Sequence, residues 1–139
     1  MSKKSLLIGV LLALALAAIY WFGFRTDPKV EALNQAIQQQ GSYDLRHYPY
    51  PYRVMRMDGT VAVMGSPRSA AMPVVQMIRS IDPSLEGADA DNPDFVAAEK
   101  KMADLQFEAR KIVLAQPGVS SVTFKLDKEW LSDHGISVD

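Results

Sequence analysis

The run SLLIGVLLALALAAIYWFGF, from Ser5 to Phe24, is 20 residues without a charge, and it constrains the chain more than any other stretch. As a helix rising about 1.5 Å per residue it would span about 30 Å, the thickness of a bilayer's hydrocarbon core. Lys3 and Lys4 precede it, and Tyr20, Trp21 and Phe22 stand near its far end, where aromatic rings favour the headgroup level. The sequence therefore predicts a retained membrane anchor over residues 1–25 and one domain over residues 26–139. The two lysines favour a cytoplasmic N-terminus with the domain on the far side of the membrane; Arg25 and Lys29 pull against that orientation. A cleaved signal peptide is the competing reading, with Leu6–Leu12 as its apolar stretch and small residues at Ala13–Ala18 for cleavage. The large aromatics beyond Ala18 favour retention.

The chain has no cysteine. That excludes disulfides, thiolate metal sites, a cysteine nucleophile and an acylated-cysteine lipid anchor. After the apolar run, 13 Lys and Arg face 16 Asp and Glu, a net of 13 − 16 = −3. That balance gives no reason to expect nucleic acid. The two histidines, His47 and His134, have no partner at a motif spacing, so the sequence predicts no enzyme and no cofactor.

TDPKVEALNQAIQQQG reads as a helix capped by Asp27, begun by Pro28 and stopped at Gly41, with Val30, Leu33 and Ile37 as its apolar stripe. In RHYPYPYRVMRMDGTVAVMG, Asp58-Gly59 is a two-residue hairpin signal of the type I′ kind. Set at the tip, it pairs Val54 with Val63 and Tyr52 with Gly65. Tyr50, Tyr52, Val54, Arg56, Val61 and Val63 then share the core face, and Met55, Met57, Ala62 and Met64 the other. Pro49 and Pro51 remove donors from one edge, as in a protected edge strand. The alternative is an exposed Tyr-Pro recognition strip in polyproline form.

SPRSAAMPVVQMIRSI places Val74, Met77, Ile78 and Ile81 at helical spacing behind Pro73. DPSLEGADADNPD follows as an acidic loop. Asp89 and Asp91 begin a calcium-loop pattern, but Pro93 and Lys100 occupy positions where it needs ligands. Next comes the strongest helix, capped by Asn92 and Pro93 and stopped by Pro117-Gly118. Phe95, Ala98, Met102, Leu105, Ala109 and Ile112 form its stripe. VSSVTFKLD alternates, with Val122, Phe124 and Leu126 inward and Thr123, Lys125 and Asp127 outward. A short amphipathic tail returns Trp130 and Leu131 to the core, and Gly135 ends it. The predicted class is α+β, a three-stranded sheet packed on helices.

Helix, DGTVAVMGSPRS and AQPGVSSVTFKL together resemble the BON domain, a small module of bacterial envelope proteins. Gly59, Val61, Val63, Gly65, Gly118, Val119 and Val122 carry the resemblance. It departs in having two helical segments, not one, between the second and third strands. The resemblance implies an envelope-facing module linked to phospholipid or to protein assembly, with structural glycines.

The expected function is a membrane-tethered periplasmic module that binds an envelope protein or assembly. Tyr48, Tyr50 and Arg53 are the candidate contact residues, and Asp58, Gly59, Gly65 and Gly118 the structural turns. Lipid headgroups are the alternative ligand. A purely structural accessory subunit, acting through its span, is another reading, and Gly9, Ala13 and Ala17 offer that span a small-residue face.

Overall fold

A computed structural model describes residues 2–23, 27–68, 74–85, 87, 89 and 91–136, without the side chains at 22, 23 and 74. The expected helix start at Pro73, and Glu86 of the acidic loop, lie outside the described residues, as do Phe24 and Arg25 of the anchor.

Helix α1 runs from Lys3 to Gly23. It is long and apolar enough to cross a membrane, and its stretch Lys3–Trp21 is not buried against the rest of the chain. Leu6, Leu7, Ile8, Leu11, Leu14 and Ile19 are all exposed. Apolar residues on every side of a helix need an apolar surrounding.

The domain is α+β. Helix α2 (Pro28–Gln40) begins where the capping signals set it, with the Asp27 carboxylate accepting the Lys29 N–H at 2.9 Å. Val30, Leu33, Ala36 and Ile37 are its buried stripe. Its stop at Gly41 has a steric cause, since Gly41 has an ordinary φ of −68°. A Cβ there would lie 2.5 Å from the Ile37 carbonyl oxygen. A short helix that the sequence reading missed, α3 (Tyr43–Arg46), follows at once, capped by Ser42.

Strands β1 (Val54–Asp58) and β2 (Val61–Ser66) form the hairpin, and β3 (Ser121–Leu126) pairs in parallel with β2, giving the order β1-β2-β3. The chain crosses from β2 to β3 through α4 (Val74–Ile81), a 3-10 turn at Pro83–Leu85 and α5 (Pro93–Leu114). Asn92 caps α5 as expected, accepting the Asp94 N–H at 2.9 Å. Helix α6 (Lys128–Asp133) closes the domain.

The hairpin register differs from the expected one. Asp58 pairs with Val61, so Gly59 and Thr60 form the tip. Gly59 has a φ of 63°, and among the described residues no non-glycine residue has a positive φ. Positive φ at the first central position alone fits a type II′ turn and excludes type I′. A bulge at Met55 adds a further slip: Arg56 pairs with Val63, while Val54 pairs with Met64. One extra residue reverses the strand's alternation. Met57, Ala62 and Met64 therefore join Val54 on the core face, and Arg56 is exposed. Val63, expected in that core, belongs to neither core cluster. It is covered all the same, lying on the central strand between its partners Arg56 and Thr123.

Two apolar clusters fill the domain. In the first, Val30, Leu33 and Ile37 of α2 and Leu105, Ala109 and Val113 of α5 cover the sheet, with Val122 and Phe124 packed alongside. In the second, Met77 and Ile78 of α4 and Leu131 of α6 close on Phe95 and Met102. The core tyrosines expected of the opening motif are present: Tyr50 and Tyr52 are both buried.

Candidate functional site

The Tyr-Pro segment lies before β1 and enters no ladder, so its prolines do not guard the sheet edge. Asn34 of α2 does that. Its Oδ1 accepts the Val54 N–H at 2.7 Å and its Nδ2 donates to the Val54 carbonyl at 3.1 Å. One carboxamide thus stands in for a neighbouring strand.

The buried polar centre of the domain is Asp127, which the alternation had placed outward. It is 0% exposed. Its Oδ2 accepts the Tyr50 hydroxyl at 2.9 Å and lies 2.9 Å from the Arg53 Nη2. Its Oδ1 accepts the Trp130 N–H at 3.2 Å, capping α6. Its own N–H donates to the Ser66 carbonyl at 2.8 Å. A buried carboxylate needs such partners, because leaving it unpaired costs several kcal/mol, about 3–5 when one partner of a buried pair is removed. The signal for it was present: an Asp directly before a short amphipathic segment is an N-cap pattern.

Tyr50 is wholly buried, its ring edge-on to Tyr52 at 4.9 Å and to Trp130 at 5.1 Å. Burial, then the Asp127 charge and hydrogen bond, push its hydroxyl well above the usual tyrosine range. Of the candidate contact residues, Tyr50 is thus committed to the interior, and Arg53, 37% exposed, is tied to Asp127. Tyr48 remains partly open. It stacks on Tyr52 at a centroid distance of 6.0 Å. It also lines a cleft of about 200 Å³ with Ile78, Ile81, Asp82, Ala98 and Lys101. Burial and the Asp82 carboxylate push its hydroxyl up to about 12.

The four turn residues occupy three distinct settings. Asp58 is exposed and pairs with Arg56 at 3.1 Å beside Gly59 at the hairpin tip. Gly118, with a φ of 83°, ends the approach to β3. Gly65 admits Tyr50 and Asp127: a Cβ there would lie 2.6 Å from the tyrosine oxygen and 3.2 Å from Asp127 Oδ2.

Both histidines are engaged locally in the same way. His47 stacks on Tyr43 and its Nδ1 lies 2.9 Å from that residue's carbonyl oxygen. His134 stacks on Trp130, with its Nδ1 2.7 Å from the Trp130 carbonyl oxygen. Among the described residues no group of three or more His, Cys, Asp or Glu is placed to hold a metal. Asp89, Asp91 and Asp94 are exposed.

Two further concavities matter. One, about 250 Å³, lies between Lys29, Leu33, Met57, Pro117 and Val119. The other, about 210 Å³, runs between α5 and β3. No protein family, curated protein or solved structure matches this chain.

Proposed function

We propose that the chain is a membrane-tethered interaction module. In this reading α1 spans a bacterial inner membrane, the domain sits on the periplasmic side, and the domain binds a protein of the envelope. The observation that carries the reading is α1 itself. Its apolar side chains are exposed on all sides, while the domain completes two apolar clusters without it. Only four residues separate Gly23 from Pro28, so at about 3.6 Å per residue the domain stays within about 20 Å of the end of α1. Binding, not catalysis, fits the polar groups. Asp127 and Tyr50 are engaged with each other in the interior, and each histidine is engaged with the aromatic residue four positions before it. The phospholipid binding implied by the BON resemblance is less favoured, because the net charge after the apolar run is −3 and each basic residue near an anionic surface contributes only about 1 kcal/mol.

Fractionation and protease protection test the reading. The full chain is expected to resist carbonate extraction, and its domain to be digested from outside in spheroplasts. A soluble mature chain starting near Ala18 would overturn the tether. Flotation of the full chain's domain, released by cleavage after α1, with anionic vesicles at physiological salt would favour lipid over protein.

A further inference from the structure

The two edges of the sheet differ. On the β1 side, Asn34 occupies the main chain of Val54. On the β3 side, no strand follows in the sheet order. The Asp127 N–H points to β2, where it meets the Ser66 carbonyl at 2.8 Å. By alternation, Lys125 and Thr123 also turn their main-chain groups to β2, and Val122, Phe124 and Leu126 turn theirs outward. Among the described residues nothing pairs with these outward groups.

Beside that edge runs the groove lined by Arg68, Ala103, Gln106, Phe107, Arg110 and Phe124. Phe107 is 63% exposed, the largest apolar surface on α5. The charges of the groove are of one sign. The carboxylates on this half of α5 are engaged elsewhere, Asp104 with Lys100 at 2.6 Å and Glu108 with the Ser42 N–H at 2.9 Å. Among the described residues neither Arg68 nor Arg110 forms an ion pair.

From this arrangement we infer that the β3 edge and the adjoining groove bind an extended acidic segment of a protein partner, added as a fourth strand. The inference rests on the reading of the domain as a protein-binding module. An added strand would lie about 4.8 Å from β3, and alternate side chains would fall on the α5 side. An apolar side chain there meets Phe107 and Phe124. A carboxylate meets the guanidinium groups, which grip it through paired N–H donors. The main chain supplies affinity and the arginines choose the sign of the partner.

The test pans a displayed library of random decapeptides against the full chain in nanodiscs. Selected peptides are expected to be rich in β-branched residues and in Asp or Glu. A synthesised winner should protect the Val122, Phe124 and Leu126 amides from hydrogen exchange. Arg68→Glu or Arg110→Glu should weaken it at least about tenfold, equal to about 1.4 kcal/mol, and a lysine-substituted peptide should restore binding. Winners that are neutral or basic, protection at other amides, or no winner at all would overturn the proposal. So would a chain that dimerises through this edge, or that docks on anionic lipid through Phe107. A photocrosslinker in cells separates the two readings. Partner adducts from Met57 or Tyr48, with none from Phe107, refute the edge and leave the protein-binding function standing. A chain recovered as a soluble cleaved product refutes both.

Discussion

Gly65 and Tyr50 make a sharp test of the packing around Asp127. Gly65→Ala would set a Cβ 2.6 Å from the tyrosine oxygen, 3.1 Å from Met55 Sδ and 3.2 Å from Asp127 Oδ2. The thioether is flexible and can move, but the hydroxyl cannot move cheaply. It is bonded to Asp127 at 2.9 Å, and its ring is confined by Tyr52 and Trp130. Overpacking of this kind costs about 1–3 kcal/mol. Tyr50→Phe alone removes a hydrogen bond to a charged acceptor, about 1.5–3 kcal/mol, while Asp127 keeps Arg53 and the Trp130 N–H. With both changes the closest clash is gone, so the double variant should be more stable than the sum of the two costs by about 1 kcal/mol or more, within the range of coupled neighbours. The assay is urea unfolding of the full chain in mild detergent, followed by Trp130 fluorescence in a Trp21→Phe background. At a slope of about 1–3 kcal/mol per molar urea, a 2 kcal/mol loss moves the midpoint by about 1 M. Additivity within about 0.5 kcal/mol would refute the close approach of the hydroxyl to Gly65.

Met64→Ala should cost about 2–5 kcal/mol as a core truncation, whereas Val61→Thr should stay within about 0.5 kcal/mol; the opposite order in the same unfolding assay would restore the register with Val61 and Val63 inward. Asn34→Ala should lose about 1–3 kcal/mol by stripping Val54 of both its partners, and faster hydrogen exchange at the Val54 amide would report it; unchanged exchange counts against the carboxamide as an edge guard. The Tyr48 hydroxyl is raised from 10.0 to about 12, so its neutral form is favoured in the folded state. Its contribution is intact below pH 10 and is lost as pH climbs towards 12. Tyr48→Phe should flatten the alkaline stability loss in that window, and Asp82→Asn should lower the tyrosinate titration seen by ultraviolet absorbance.

Apart from the short α3, the helices were legible because their signals are local. Asp27-Pro28 and Asn92-Pro93 each set a start to the residue, and the alternation of Val122, Phe124 and Leu126 fixed the inner face of β3. The hairpin failed for a physical reason. Asp58-Gly59 and Gly59-Thr60 are both workable tips, and both faces of β2 carry apolar residues. Neither turn chemistry nor alternation decides between them, and a bulge at Met55 leaves no mark in composition. The polar centre was harder still. Tyr50 and Asp127 meet across 77 residues, so the burial of that aspartate depends on a partner no local pattern names. Of the candidate contact residues, Tyr48 and Arg53 stay partly open while Tyr50 is buried, and Phe107, Arg68 and Arg110 had been given no role. An exposed Phe in an otherwise well-striped helix was the one clue to them.

Asn34 has a consequence for how many molecules can join this sheet. A filament of strands needs two open edges on every subunit, one to receive and one to offer. Here Asn34 of α2 already fills both main-chain groups of Val54, so a strand arriving at that edge would have to displace it. If the β3 edge receives a strand as inferred above, the guarded β1 edge offers no matching place for a second, and the sheet would grow by one strand only. In a chain tethered through α1 as proposed, that single carboxamide would separate a counted assembly from an open-ended one.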